Sequence, residues 1–165
     1  MIDLSINIVF FEKAILFLDE IGIETAFEMI DNEDCFLPGF TIKNGKIIID
    51  RNKIKFHGDI LHEAAHIAVV PAEDRMLLNG KNIGSRKDAA AEEMMAIAWS
   101  YAACIHLKID AHFVFHENGY KGGGGSIVEN FNNGNYIGVP VLQWLGMTST
   151  QNEVVYPVMI KWLRD

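Results

Sequence analysis

Gly58-Asp59-Ile60-Leu61-His62-Glu63-Ala64-Ala65-His66-Ile67-Ala68-Val69-Val70-Pro71 is the stretch that decides the architecture. Nothing between Asp59 and Val70 breaks a helix, Gly58-Asp59 supplies a start signal and Pro71 a stop, so a helix is expected over 59–70. Leu61, Ala65, Ala68 and Val69 fall on one side of it and Ile60, Ala64 and Ile67 on another. A helix that is apolar all round belongs at the centre of a fold. Two His and a Glu placed there need partners, because an unpaired buried polar group costs about 1–3 kcal/mol. His62 and His66, four residues apart, stand on one face a turn apart. Their imidazoles can converge on one ion, with Zn–N distances of about 2.0–2.1 Å. Glu63 points beside that ion, where it can accept a proton from water that the ion activates. The competing reading is a pair of core histidines hydrogen-bonded to backbone in a metal-free fold.

A third ligand has to come from elsewhere. One large class of such sites uses a His six residues after the second, and that position is Ala72, so the class is excluded. A Glu on a following helix is the other common solution, and Glu92-Glu93 lie 26 and 27 residues after His66. Ser85-Arg86-Lys87-Asp88 forms a helix-start box, and Ala89 to Leu107 is an Ala- and Met-rich run without Gly or Pro. Carboxylates there also suit a helix N-terminus without any metal. Glu93 shares a face with Ala96, Ile97, Ser100 and Cys104; Glu92 aligns with Met95, Ala96, Trp99 and Ala103. Both faces are largely apolar, so periodicity does not choose between the two acids.

Strand-like Ile47-Ile48-Ile49-Asp50, then His62-Glu63-Ala64-Ala65-His66, then Glu93-Met94-Met95-Ala96 resembles the gluzincin branch of zinc metallopeptidases, most closely the small ImmA/IrrE-type minimal domains. The resemblance covers roughly residues 45–107. It implies an α+β, zincin-like domain: an N-terminal helix, a small sheet with a hairpin, and two central metal-binding helices. It also favours Glu93 over Glu92 as third ligand, since the ligand Glu typically lies three residues before an Ala. Related enzymes often carry Asp or Asn four residues after that Glu to orient a His, and this chain has Ile97 there. A different group must then orient the ligands.

At 165 residues, half of them hydrophobic, the chain is expected to form a single domain spanning 1–165. A formal charge of −8 and the lack of a basic, aromatic-interleaved stretch argue against nucleic acid as a partner. No apolar run approaches the ~18–20 residues that a membrane span needs. Met1-Ile2-Asp3-Leu4-Ser5 lacks the pattern of a secretory signal, and Cys35 and Cys104 lack metal spacing, so reduced thiols and a cytoplasmic address are expected.

Phe10 to Ile30 reads as one or two amphipathic helices with Gly22 as a break, burying Ile15, Leu18, Ile21, Phe27 and Ile30. Phe40 to Ile49 reads as two strands around an Asn44-Gly45 turn. Pro71 to Gly84 reads as an irregular connection. Ala111 to His116 alternates like a strand, and Gly122 to Gly125 lacks the Lys-Ser/Thr ending of a phosphate loop, which leaves a mobile loop or a lid over the metal cleft. Tyr120 or His116 could then donate to an oxyanion opposite Glu63. Val139 to Met147 is an apolar patch for the core or a subunit contact, and Asn152 to Leu163 reads as a closing helix disturbed by Pro157.

The expected chemistry is zinc-dependent hydrolysis of a protein or peptide substrate, with His62, His66 and Glu93 as ligands and Glu63 as general base. The alternative is a non-catalytic zinc-binding regulatory or protein-interaction module. An intact Glu63 speaks against it, because a purely structural site needs no general base.

Overall fold

The computed structural model describes residues 4–31, 37–151 and 154–165. Its elements are α1 (Leu4–Glu20), β1 (Thr25–Phe27), β2 (Phe40–Lys43), β3 (Lys46–Ile49), α2 (Asp59–Ala68), α3 (Ala89–Leu107), α4 (Gly124–Asn132) and α5 (Val139–Trp144), joined by turns and short 3-10 segments. The class is α+β, with a single three-stranded sheet of order β1-β3-β2 among the described residues.

The Asn44-Gly45 signal makes the hairpin. Both residues have positive φ, 52° and 72°, as a two-residue turn of this kind requires. Gly45 is needed twice over, since a Cβ there would lie 2.6 Å from the Arg75 carbonyl oxygen. β2 pairs antiparallel with β3 from Lys43–Lys46 to Phe40–Ile49. The outer side of β2 is partly covered: Gly80 N–H donates to Ile42 C=O (2.9 Å) and Asn79 bridges Lys43.

α2 packs against the sheet on one side and α3 on the other. Every residue of α2 is buried except His62 and His66, which are partly exposed. Ala64, Ala65 and Ala68 of α2 and Ala96, Ala98, Ala102 and Ala103 of α3 are fully buried. Small side chains let two helix backbones approach closely, and Ser100 Oγ, which donates to Ala96 C=O at 2.8 Å, also comes within 3.5 Å of Leu61 C=O. α3 runs over the predicted span, Ala89 to Leu107. Gly58, just before α2, has no room for a side chain: a Cβ would sit 1.7 Å from Phe113 C=O.

Four expectations change. The stretch after Gly22 is not helical: α1 ends at Glu20, Gly22 takes φ +86°, and residues 25–27 form β1, parallel to β3. Phe27 is exposed, with the Arg51 guanidinium 4.1 Å from its ring centre, whereas Ile30 is buried. Ala111 to His116 is no strand, because Asp110 accepts from His112 N–H (2.9 Å) and starts a 3-10 turn. Gly124 and Gly125 open α4 instead of lying in a loop. From Val154 onward the tail is not helical, and its backbone donors go to distant partners: Ile160 to Met147 C=O (2.8 Å) and Arg164 to Ala68 C=O (2.9 Å). Asn152, like Cys35, lies outside the described residues. The tail therefore caps α2, with the Arg164 guanidinium also donating to Val69 C=O (3.3 Å).

In the patch around α5, Val139, Leu142 and Met147 join the core and Trp144 stays exposed. Cys104 is a buried free thiol, pushed up by burial. No helix among the described residues is long and apolar enough to cross a membrane.

Candidate metal centre

α2 presents His62 and His66 through its only partly exposed positions, and Glu93, the fifth residue of α3, meets them. His62 Nε2 and His66 Nε2 are 3.1 Å apart. Glu93 Oε1 lies 3.6 Å from His62 Nε2, and Glu93 Oε2 lies 3.5 Å from His66 Nε2. These three residues form the group among the described residues that could hold a metal ion. The spacing fits: ligand atoms about 2.0–2.1 Å from a tetrahedral centre stand roughly 3.3 Å from one another. Two imidazole nitrogens 3.1 Å apart also need a proton or a cation between them, since two lone pairs would repel.

The electrostatics agree with a donor set. Burial lowers His62 to about 3, helped by His66, and burial lowers His66 to about 4. Both rings are then neutral at ordinary pH and their contacts with Glu93 are not ion pairs. Neutral imidazole is the form that ligates a metal. Glu93 is raised by burial. Glu63 is pushed up to about 8 by burial and then by the Asp59 and Glu93 carboxylates. A cation among these groups reverses that push.

The two adjacent acids part company. Glu92 is buried and accepts two hydrogen bonds from Arg86, from Nε to Oε2 (2.8 Å) and from an Nη to Oε1 (3.0 Å). Arg86 also donates to Asp74 at 2.8 Å, and the Glu92 bonds lead in raising its pKa. Glu92 is thus occupied in fixing the connection before α3, and Glu93 alone faces the histidines.

His62, Glu63, His66 and Glu93 line one side of a cleft of about 450 Å³. Phe40 and Thr41 of β2 form another side, and Gly80, Lys81, Ile83 and Gly84 close it. Sequence reasoning missed Gly80, Lys81, Ile83 and Gly84 as cleft residues, because they belong to the segment expected only to be irregular.

Tyr120 and His116 do not line the cleft. His116 Nε2–H donates to Asp59 Oδ1 (3.0 Å), with the ring stacked on Phe56 at 3.9 Å. Asp59 Oδ2 and His116 Nδ1 are buried without a partner among the described residues. Tyr120 Oη lies 3.0 Å from His62 Nδ1, behind the metal-facing nitrogen. His116 and Tyr120, just before the glycine run expected to form a lid, are tied to α2, and Gly124 and Gly125 of that run are helical. Nothing in the sequence signalled this pairing in advance, since an acid at the first position of a helix such as Asp59 already suits its N-terminus.

No protein-family model, curated protein or solved structure matches this chain.

Proposed function

We propose that this chain is a zinc-dependent peptide hydrolase with a zincin-like fold of the gluzincin type, acting in the cytoplasm on a protein or peptide substrate. The observation that carries this reading is the convergence of His62 Nε2 and His66 Nε2, 3.1 Å apart, on the Glu93 carboxylate, whose Oε1 lies 3.6 Å from the first and Oε2 3.5 Å from the second, spacings that one ion can bridge. His62, His66 and Glu93 would hold the ion. When bound there, zinc supplies Lewis acidity to a water and to a substrate carbonyl.

The chain's own residues carry the rest. Glu63 lines the cleft one residue from His62, where its carboxylate accepts the proton of the attacking water and delivers it to the leaving amine. Its burial keeps that carboxylate out of bulk water, so the proton stays local. Phe40 and Thr41 form one wall of the cleft along which an extended peptide can lie, and Gly80 and Gly84 leave room on the other side.

Metal analysis of tag-free protein, with His62→Ala and Glu93→Ala alongside, tests the centre. About one zinc per chain, lost in both variants, is the expected result. Hydrolysis of a peptide library by the wild type and by Glu63→Gln tests the activity. Zinc without hydrolysis in the wild type would favour the non-catalytic module, and no zinc would return the histidines to the core.

A further inference from the structure

The loop after α3 touches α2 through two side-chain hydrogen bonds in sequence. His116 bonds Asp59, and Tyr120 bonds His62. Asp59 and His62 are three residues apart on α2, so the loop is fastened along one face of that helix, behind the side that meets Glu93. Tyr120 is held firmly for this contact. Its ring stands edge-on to the His62 imidazole (5.4 Å, 82°) and packs on Phe115 at 5.2 Å. Its backbone is left-handed, with φ 52°, and so is that of Lys121, with φ 56°. A bulky residue adopts that conformation rarely and at a cost, which the surrounding contacts must offset.

We infer that Tyr120 is the positioning residue for His62, fixing its ring so that Nε2 faces the metal and Nδ1 bears the proton. The inference rests on the metal centre proposed above and adds a group that orients it. Ligand histidines generally donate their second N–H to an acceptor, which sets the tautomer and the ring angle. Tyr120 Oη, 3.0 Å from Nδ1, is that acceptor in the metal-loaded protein. A hydroxyl can also donate, which a carboxylate cannot. After metal removal the tyrosine donates to Nδ1, and His62 Nε2–H turns to His66 Nε2, 3.1 Å away. One hydroxyl thus holds the ring in the same place through both tautomers, and the site needs little rearrangement to load or release its ion.

The test compares zinc affinity of the wild type and Tyr120→Phe by competition with a chelator of known affinity. It adds thermal unfolding of both proteins after metal removal, and ¹⁵N spectra of the histidine rings with and without zinc. Loss of about 10–100-fold in zinc affinity supports the inference, provided that the stripped variant still unfolds cooperatively; its melting temperature should fall too, because His62 loses the same hydroxyl when no metal is bound. Transfer of the His62 proton from Nε2 to Nδ1 when zinc is added supports it independently. In the zinc-loaded wild type, a slowly exchanging His62 Nδ1–H with cross-peaks to the Tyr120 ring decides the matter even if the variant folds poorly, and a rapidly exchanging one without them would overturn the role of Tyr120. A wild type that binds zinc and a variant with unchanged affinity would overturn the role of Tyr120 alone, as would zinc ligation through His62 Nδ1. A wild type that binds no zinc would overturn the metal centre and this inference with it.

Discussion

Replacing Glu92 and Glu93 one at a time should produce opposite defects, although the two residues are neighbours. Glu92 is 4% exposed and receives two hydrogen bonds from Arg86. Removing one partner of such a pair costs about 3–5 kcal/mol. Arg86 keeps Asp74, and its side chain is 20% exposed, so the lower end applies. For a domain of this length each kcal/mol moves the melting temperature by about 2–4 °C, so a cost of roughly 3 kcal/mol lowers it by about 6–12 °C. Zinc stoichiometry should not change in Glu92→Ala. Glu93 is 44% exposed and its contacts are two neutral imidazoles, so Glu93→Ala should leave the metal-free melting temperature within about 2 °C while zinc is lost. Scanning calorimetry of chelator-treated protein and metal analysis of untreated protein read the two effects separately. Zinc lost from Glu92→Ala at an unchanged melting temperature would refute the assignment.

Glu63→Gln should keep its zinc and lose about 10²–10⁴-fold in peptide hydrolysis; equal activity would remove Glu63 from the mechanism. Gly58→Ala forces a Cβ to 1.7 Å from Phe113 C=O, so it should unfold at markedly lower urea, and an unmoved midpoint would contradict the packing. In metal-stripped protein, stability should peak near pH 6.5. His62 and His66, held near 3 and 4 below the 6.5 of the unfolded chain, cost stability as pH falls below 6.5, whereas Glu63, held near 8 above the unfolded 4.5, costs stability as pH rises from 4.5 to 8. His57, lowered by burial, adds to the histidine side and Glu93, raised by burial, to the carboxylate side, so the histidines govern the slope below pH 6.5 and the carboxylates above it. A urea midpoint that rises steadily to pH 8 would refute this balance.

The parts of the fold written in local pattern were legible in the sequence. Asn44-Gly45 forces positive φ at both positions and so makes a hairpin wherever it sits between β-prone runs. The span of α3 follows from a long run without breakers, and the central place of α2 from its unrelieved apolarity. What depends on distant partners was not legible. Periodicity left Glu92 and Glu93 equal and only the resemblance favoured Glu93; the physical reason is Arg86, six residues before Glu92, whose guanidinium takes one acid out of contention. Ile97 signalled that the orienting group lay elsewhere, but nothing local marked Tyr120, 58 residues from His62, as its neighbour. Ala111 to His116 alternates like a strand, yet Asp110 captures the His112 amide and bends the chain. The tail after Val154 has helical spacing, but Ile160 and Arg164 give their backbone donors to Met147 and Ala68.

The stitching of Asn79 and Gly80 onto β2 bears on how this protein behaves at high concentration. An open sheet edge is a template on which another molecule can add a strand. Here the Ile42–Lys43 end of β2 is covered from within the chain, and at the opposite edge β1 is three residues long. The other end of β2 is covered as well, since Phe40 N–H donates to Leu37 C=O (3.1 Å), and Phe40 and Thr41 border the cleft beside His62 and Glu93. A neighbouring molecule that tried to extend the sheet would meet chain already bonded at both ends of β2, so crowding should favour the closed molecule over strand addition.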